Sequence, residues 1–120
     1  MKYKIDNIEN YTETKGWLCG HFFPRESLSH TSDLEVKFDT LKPGHTKEEH
    51  WHPRGMEILV VVSGKMEFQI DNKKHILEKG DFLLTKENVK ETLLKVHEPT
   101  NIVIIKTPSV KNNVLFSAGE

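Results

Sequence analysis

GHTKEEHWHPRGMEILVVVSG, residues 44–64, carries the pattern on which the fold and the chemistry both turn. On an extended strand, side chains at i and i+2 share a face, so His50 and His52 project together while Trp51 points the other way. Pro53, Arg54 and Gly55 form a turn, and a hairpin of that length brings Glu57 opposite the two imidazoles. Two neutral nitrogens and one anionic oxygen suit Mn, Fe, Zn, Ni or Co, whereas calcium would need more oxygen ligands. Leu59 and Val61 lie on the same face as Glu57 and wall it with apolar groups, which holds a carboxylate to its cation. An isolated H-x-H also matches by chance, as a pair of surface histidines, so the surrounding residues have to carry the argument.

Outward from this stretch, short alternating or β-branched runs recur between turn residues, the pattern of sandwiches and barrels. Nine strands are expected, over 17–23, 34–41, 50–52, 57–62, 65–70, 75–77, 81–85, 92–96 and 102–107. Turn formers separate them, among them Pro43-Gly44, Ser63-Gly64, Asp71-Asn72, Gly80-Asp81, Glu87-Asn88 and the 98–101 segment EPTN. Short connections without helices make neighbouring strands antiparallel and exclude βαβ units with their dinucleotide sites. The expected fold class is therefore an all-β barrel, with residues 1–120 as one domain.

The charge balance excludes several partners. With 17 basic and 18 acidic residues the formal net charge is -1, so no global field favours nucleic acid or an anionic membrane. The longest apolar run, Ile58 to Val62, is far shorter than the roughly 20 residues a spanning helix needs. A small-molecule partner is expected instead. The single Cys19 excludes an internal disulfide and fits a reducing compartment, the cytoplasm.

Five fixed positions, G-x5-H-x-H-x4-E-x6-G from Gly44 through His50, His52 and Glu57 to Gly64, give the stretch its specificity. They resemble the first motif of the cupins, small jelly-roll barrels. The segment beginning Gly80-Asp81 is similar to the opening of the second cupin motif, G-x5-P-x-G-x2-H. Here Lys86 stands at the proline, Asn88 at the second glycine and Glu91 at the histidine. Asn88 can take the left-handed conformation a glycine would supply. The resemblance spans about 34–109 and implies one divalent transition metal per chain (Mn, Fe, Zn, Ni or Co) inside the barrel, held by His50, His52 and Glu57. Glu91, Thr92 or a water would complete its shell, with Glu91 favoured. It also implies a homodimer and leaves the reaction open, because one fold hosts many chemistries.

Other residues carry two readings each. Glu35, Lys37 and Asp39 alternate with apolar neighbours, and a solvated outer face is the ordinary outcome. Turned inward, Lys37 would anchor a carboxylate or phosphate. His21 beside aromatic residues is either a general base or a packed histidine. Lys95 shares the parity of Glu91 and would tune it, or form an outer ion pair. Arg54, on the loop between His52 and Glu57, can bind an anion bidentately. Cys19 reads as inert packing and His97 as too distant. Glu91, His21 and Lys37 are thus the candidate catalytic residues, and Arg54 and Lys95 the candidate substrate contacts. The expected function is an enzyme of the isomerase or lyase type acting on a small sugar derivative or oxo acid. A non-catalytic ligand or metal sensor, an Fe(II) dioxygenase, and an interaction module that has lost its metal are the alternatives.

Overall fold

A computed structural model describes residues 2–117. Its eight strands are β1 (Trp17–Cys19), β2 (Glu35–Leu41), β3 (Lys47–Trp51), β4 (Met56–Ile70), β5 (Lys73–Glu78), β6 (Phe82–Thr85), β7 (Glu91–Thr107) and β8 (Leu115–Phe116), all paired antiparallel. A single 3-10 turn at Ile8–Tyr11 precedes β1, capped by the Asn7 side chain, which accepts from the Glu9 amide.

The two long strands organise the jelly roll. The first part of β7 pairs with β3 and with the end of β4, while its last part pairs with β2 and the start of β4. Each long strand therefore belongs to two sheets: β1, β2, β7, β4 and β6 on one side, and β8, β3, β7, β4 and β5 on the other. This corrects the expected count of nine. Ser63-Gly64 and 98–101 do not reverse the chain; they bend β4 and β7 from one sheet to the other through register shifts between Val61 and Met66. A turn signal and a bend signal use the same residues, because both need an irregular backbone. At this corner Gly64 has φ of 103° and a Cβ there would stand 2.6 Å from the Thr100 Cα. The buried Thr100 hydroxyl accepts from the Lys65 amide at 3.1 Å and donates to the Glu98 carbonyl at 2.7 Å.

The core between the sheets is Leu59, Val61, Met66, Phe68, Leu77, Leu93, Val96 and Ile102. Its parity along β4 changes from odd to even residues across the bend, as the inserted residues require. β1 ends at Cys19 rather than at residue 23, and Gly20 makes only an isolated bridge to His30. No helix among the described residues is long and apolar enough to cross a membrane.

β2 departs most from expectation. Lys37 pairs across the sheet with Ile104 and Asp39 with Ile102, and Ile104 and Ile102 both face the interior, so the charged side of β2 faces inward. Its register with β7 forces this choice, and Val36 and Phe38 take the outer side beside Ile105 and Val103.

Candidate metal centre

His50 lies near the end of β3, directly across the ladder from Glu91 at the start of β7. His52 follows β3, and Glu57 opens β4 after the turn. All four side chains are buried within the barrel. Coordinating atoms of His50, His52 and Glu91 lie within 4.8 Å of one another. Glu57 lies outside that group of three but against it, its Oε2 2.7 Å from His52 Nε2. Between Glu91 and Thr92, the fold turns Glu91 into this group, while Thr92 is half-buried across from Gln69.

The hydrogen bonds on the far side of each ring decide what the near side can do. His52 Nδ1 donates to the Asn113 carbonyl at 2.8 Å, and His50 Nδ1 to the Glu48 carbonyl at 2.9 Å. A carbonyl only accepts, so Nδ1 carries a proton, and Nε2 is the nitrogen each ring can offer to the site as a metal ligand. Those nitrogens meet carboxylates: His50 Nε2 stands 3.1 Å from Glu91 Oε1, and His52 Nε2 2.7 Å from Glu57 Oε2.

Neither contact is aligned as a hydrogen bond. His52 Nε2, Glu57 Oε2 and Glu91 Oε2 are buried without any hydrogen-bond partner among the described residues. Buried polar atoms left in that state are rare and costly. A nitrogen lone pair and a carboxylate oxygen repel at such distances unless a metal ion or a proton on Nε2 lies between them. Two ligands about 2.0–2.2 Å from one ion at right angles to each other are themselves about 3 Å apart. The observed separations bracket that value, so the donor set fits a divalent transition metal. In the metal-free protein burial alone would raise the Glu57 carboxyl, but a His52 ring that carries its proton toward Glu57 and the charges of Lys106 and Lys47 outweigh it and hold it below its ordinary value.

The donors open on an inner pocket of about 110 Å³, walled by Leu59, Met66, Phe68 and Leu93. Lys37, Asp39, Lys47 and Lys106 also line it. Lys37 enters as one of its expected roles required, with Nζ 3.4 Å from Asp39 and 5.4 Å from the Trp17 ring centre. Lys106 and Lys47 were not singled out from the sequence, and Asp39 was weighed only as part of the charged face it shares with Glu35 and Lys37. Lys106 shares its parity with Ile102 and Ile104, a signal readable once the inner face of β7 is known.

The remaining candidates lie elsewhere. His21 Nδ1 contacts the buried Ser109 hydroxyl at 2.7 Å, which donates to Glu35 at 2.9 Å; His21 and Glu35 line another cleft. Arg54 is exposed and absent from the pocket lining; its loop is held through its backbone, which the Asn113 side chain grips with two bonds of 2.9 Å. Lys95 is also exposed, opposite Glu67, because a register shift between Glu67 and Phe68 leaves Leu94 unpaired and reverses the parity of β7. His97 sits 3.5 Å from Glu67. Cys19 is partly buried, which raises its thiol pKa. Asn88 adopts φ of 65° and donates its amide to the His52 carbonyl, so it does the work of the motif glycine.

A family model for the cupin domain matches residues 37–102, more than half of the chain. The chain belongs to the cupin family. A cupin protein from Bacteroides fragilis is 25% identical, with a TM-score of 0.59 over 68% of this chain and 70% of that one. A conserved protein with a double-stranded β-helix domain from Klebsiella pneumoniae is 21% identical, with a TM-score of 0.66 over 96% and 97%. The DMSP lyase DddQ from Ruegeria pomeroyi is 17% identical, with a TM-score of 0.65 over 76% of this cupin and 47% of the lyase, about half its length. At such identities the last two likenesses show the cupin fold alone. No curated protein matches this cupin.

Proposed function

We propose that this cupin is a metal-dependent enzyme acting on a small oxygenated metabolite, by isomerisation or lyase chemistry. The observation that carries the reading is the buried group of His50, His52 and Glu91, with Glu57 against His52, in which three donor atoms are left without partners. A divalent ion held there would supply Lewis acidity, polarising a substrate carbonyl and stabilising the adjacent enolate. The chain's own residues do the rest. The carbonyls of Glu48 and Asn113 hold both rings in one orientation, and Leu59, Met66, Phe68 and Leu93 keep water out. Lys37, held between Asp39 and Trp17, is placed to bind a substrate oxygen or move a proton. The test loads the protein separately with Mn, Fe, Zn, Ni and Co and follows proton exchange or cleavage of oxo acids and sugar derivatives. Turnover with one metal that is lost in His50→Ala supports the reading. Binding without turnover on any substrate would leave a ligand sensor in its place.

The group of two histidines and one carboxylate, His50, His52 and Glu91, also supports a second reading, an Fe(II) dioxygenase. Dioxygen uptake by the iron-loaded protein separates the two.

A homodimer is part of the same proposal. The rows Ile105, Ile58, Leu84 and Val103, Val60, Phe82 make the outer face of one sheet apolar, and Phe82 is 61% exposed. Light scattering should give twice 13.9 kDa, falling to one chain in Phe82→Asp; a monomeric wild type would remove the dimer. The lone Cys19, with no second cysteine, supports a cytoplasmic site of action.

A further inference from the structure

We infer that the metabolite is a small carboxylic acid rather than a neutral sugar, its carboxylate seated against Lys106 and Lys37. The inference rests on the metal reading above and adds the substrate class.

Three cationic side chains line the inner pocket, Lys37, Lys47 and Lys106, together with three carboxylates, Asp39, Glu57 and Glu91. These charges balance, so a bound divalent ion leaves the pocket with a net positive charge, and with Lys47 at the exposed rim that excess falls on the ion, Lys37 and Lys106. Uncompensated buried charge is expensive, and an anionic ligand removes the excess where a polyol cannot. Glu35 neighbours Lys106 in the cross-strand row, but its Oε1 accepts from Ser109 and its side chain is turned toward that hydroxyl.

The positions agree with this. Lys106 Nζ is 3.9 Å from Glu57 Oε2, one carboxylate away from His52 Nε2. Lys37 and Lys106 are both held near the Trp17 ring, at 5.4 and 5.7 Å from its centre, and each also faces one carboxylate, Asp39 at 3.4 Å and Glu57 at 3.9 Å. Lys47 keeps some exposure at the rim, and its ammonium is pushed below the usual lysine range by partial loss of its water and by the Lys106 charge. A pocket of about 110 Å³ admits an acid of a few carbons.

The test separates anion recognition from packing by sign. Removing a positive charge beside the centre should tighten Mn2+ binding and weaken oxalate binding to the Mn-loaded protein. Lys106→Met is expected to weaken oxalate at least about tenfold in calorimetry, while free Mn2+ measured by electron paramagnetic resonance falls. Lys106→Arg should restore most of the oxalate affinity. Lys95→Met, the same charge change on the outer face, should move neither constant. Lys37→Met should reproduce both shifts and stands in if Lys106→Met does not fold. Oxalate affinity unchanged in both lysine variants, or Mn2+ and oxalate affinities falling together, would overturn the inference. A wild type that takes up no Mn2+ instead overturns the metal reading beneath it.

Discussion

Asn113 governs His52 from 61 residues along the chain: its carbonyl accepts from Nδ1 at 2.8 Å and so leaves Nε2 as the ligand nitrogen toward Glu57. The Asn113 side chain fixes that carbonyl by gripping both backbone groups of Arg54. Asn113→Ala removes two hydrogen bonds, each worth about 1 kcal/mol, and loosens a group that orients a ligand. We expect metal affinity to drop by about 10-fold or more with the fold retained, measured by competition with a chelator. An unchanged affinity would mean that the tail is only packing.

How much of this was legible beforehand follows from the range of each interaction. His50, His52 and Glu57 could be read because period-2 alternation and one short turn fix their faces locally. Lys37 and Asp39 could not be placed, since the face of β2 that turns inward is set by its register with β7, a pairing remote in sequence. Lys95 failed for a similar reason: the unpaired Leu94 inverts parity only when β7 meets β4. Ser63-Gly64 and Pro99 mark irregular backbone, and residue type alone does not separate a bend that stays in the ladder from a reversal. Asn113 carried no signal, because its role exists only once β8 has paired with β3.

Glu91 should discriminate among metals. Glu91→Ala should weaken binding of every ion, whereas Glu91→His should favour softer ions such as Zn and Ni over Mn. Titration of wild type and both variants checks this. Equal binding of every metal by all three proteins would place Glu91 outside the shell and a water in its position.

Glu57 predicts how the metal-free protein responds to acid. Its folded carboxyl lies below its ordinary value of 4.5, so its stabilising contribution is complete above that value and is lost as the pH falls through the depressed folded one. Urea denaturation of the metal-free protein should show stability declining in that acidic range, and Glu57→Gln should flatten the decline. Equal slopes for wild type and Glu57→Gln would contradict the assignment. In loaded protein, the same protons compete with the ion, so retention should also fall with acid.

The central claim, one metal ion held by inward-facing donors of this barrel, is tested most directly by the metal content of untagged protein beside His52→Ala. The account predicts close to one transition-metal ion per chain in the wild type. In His52→Ala the ion should be lost while the metal-free protein still folds, because apolar burial closes the barrel. A wild type that binds no ion under any loading, or a His52→Ala protein that binds as tightly as the wild type, would contradict it.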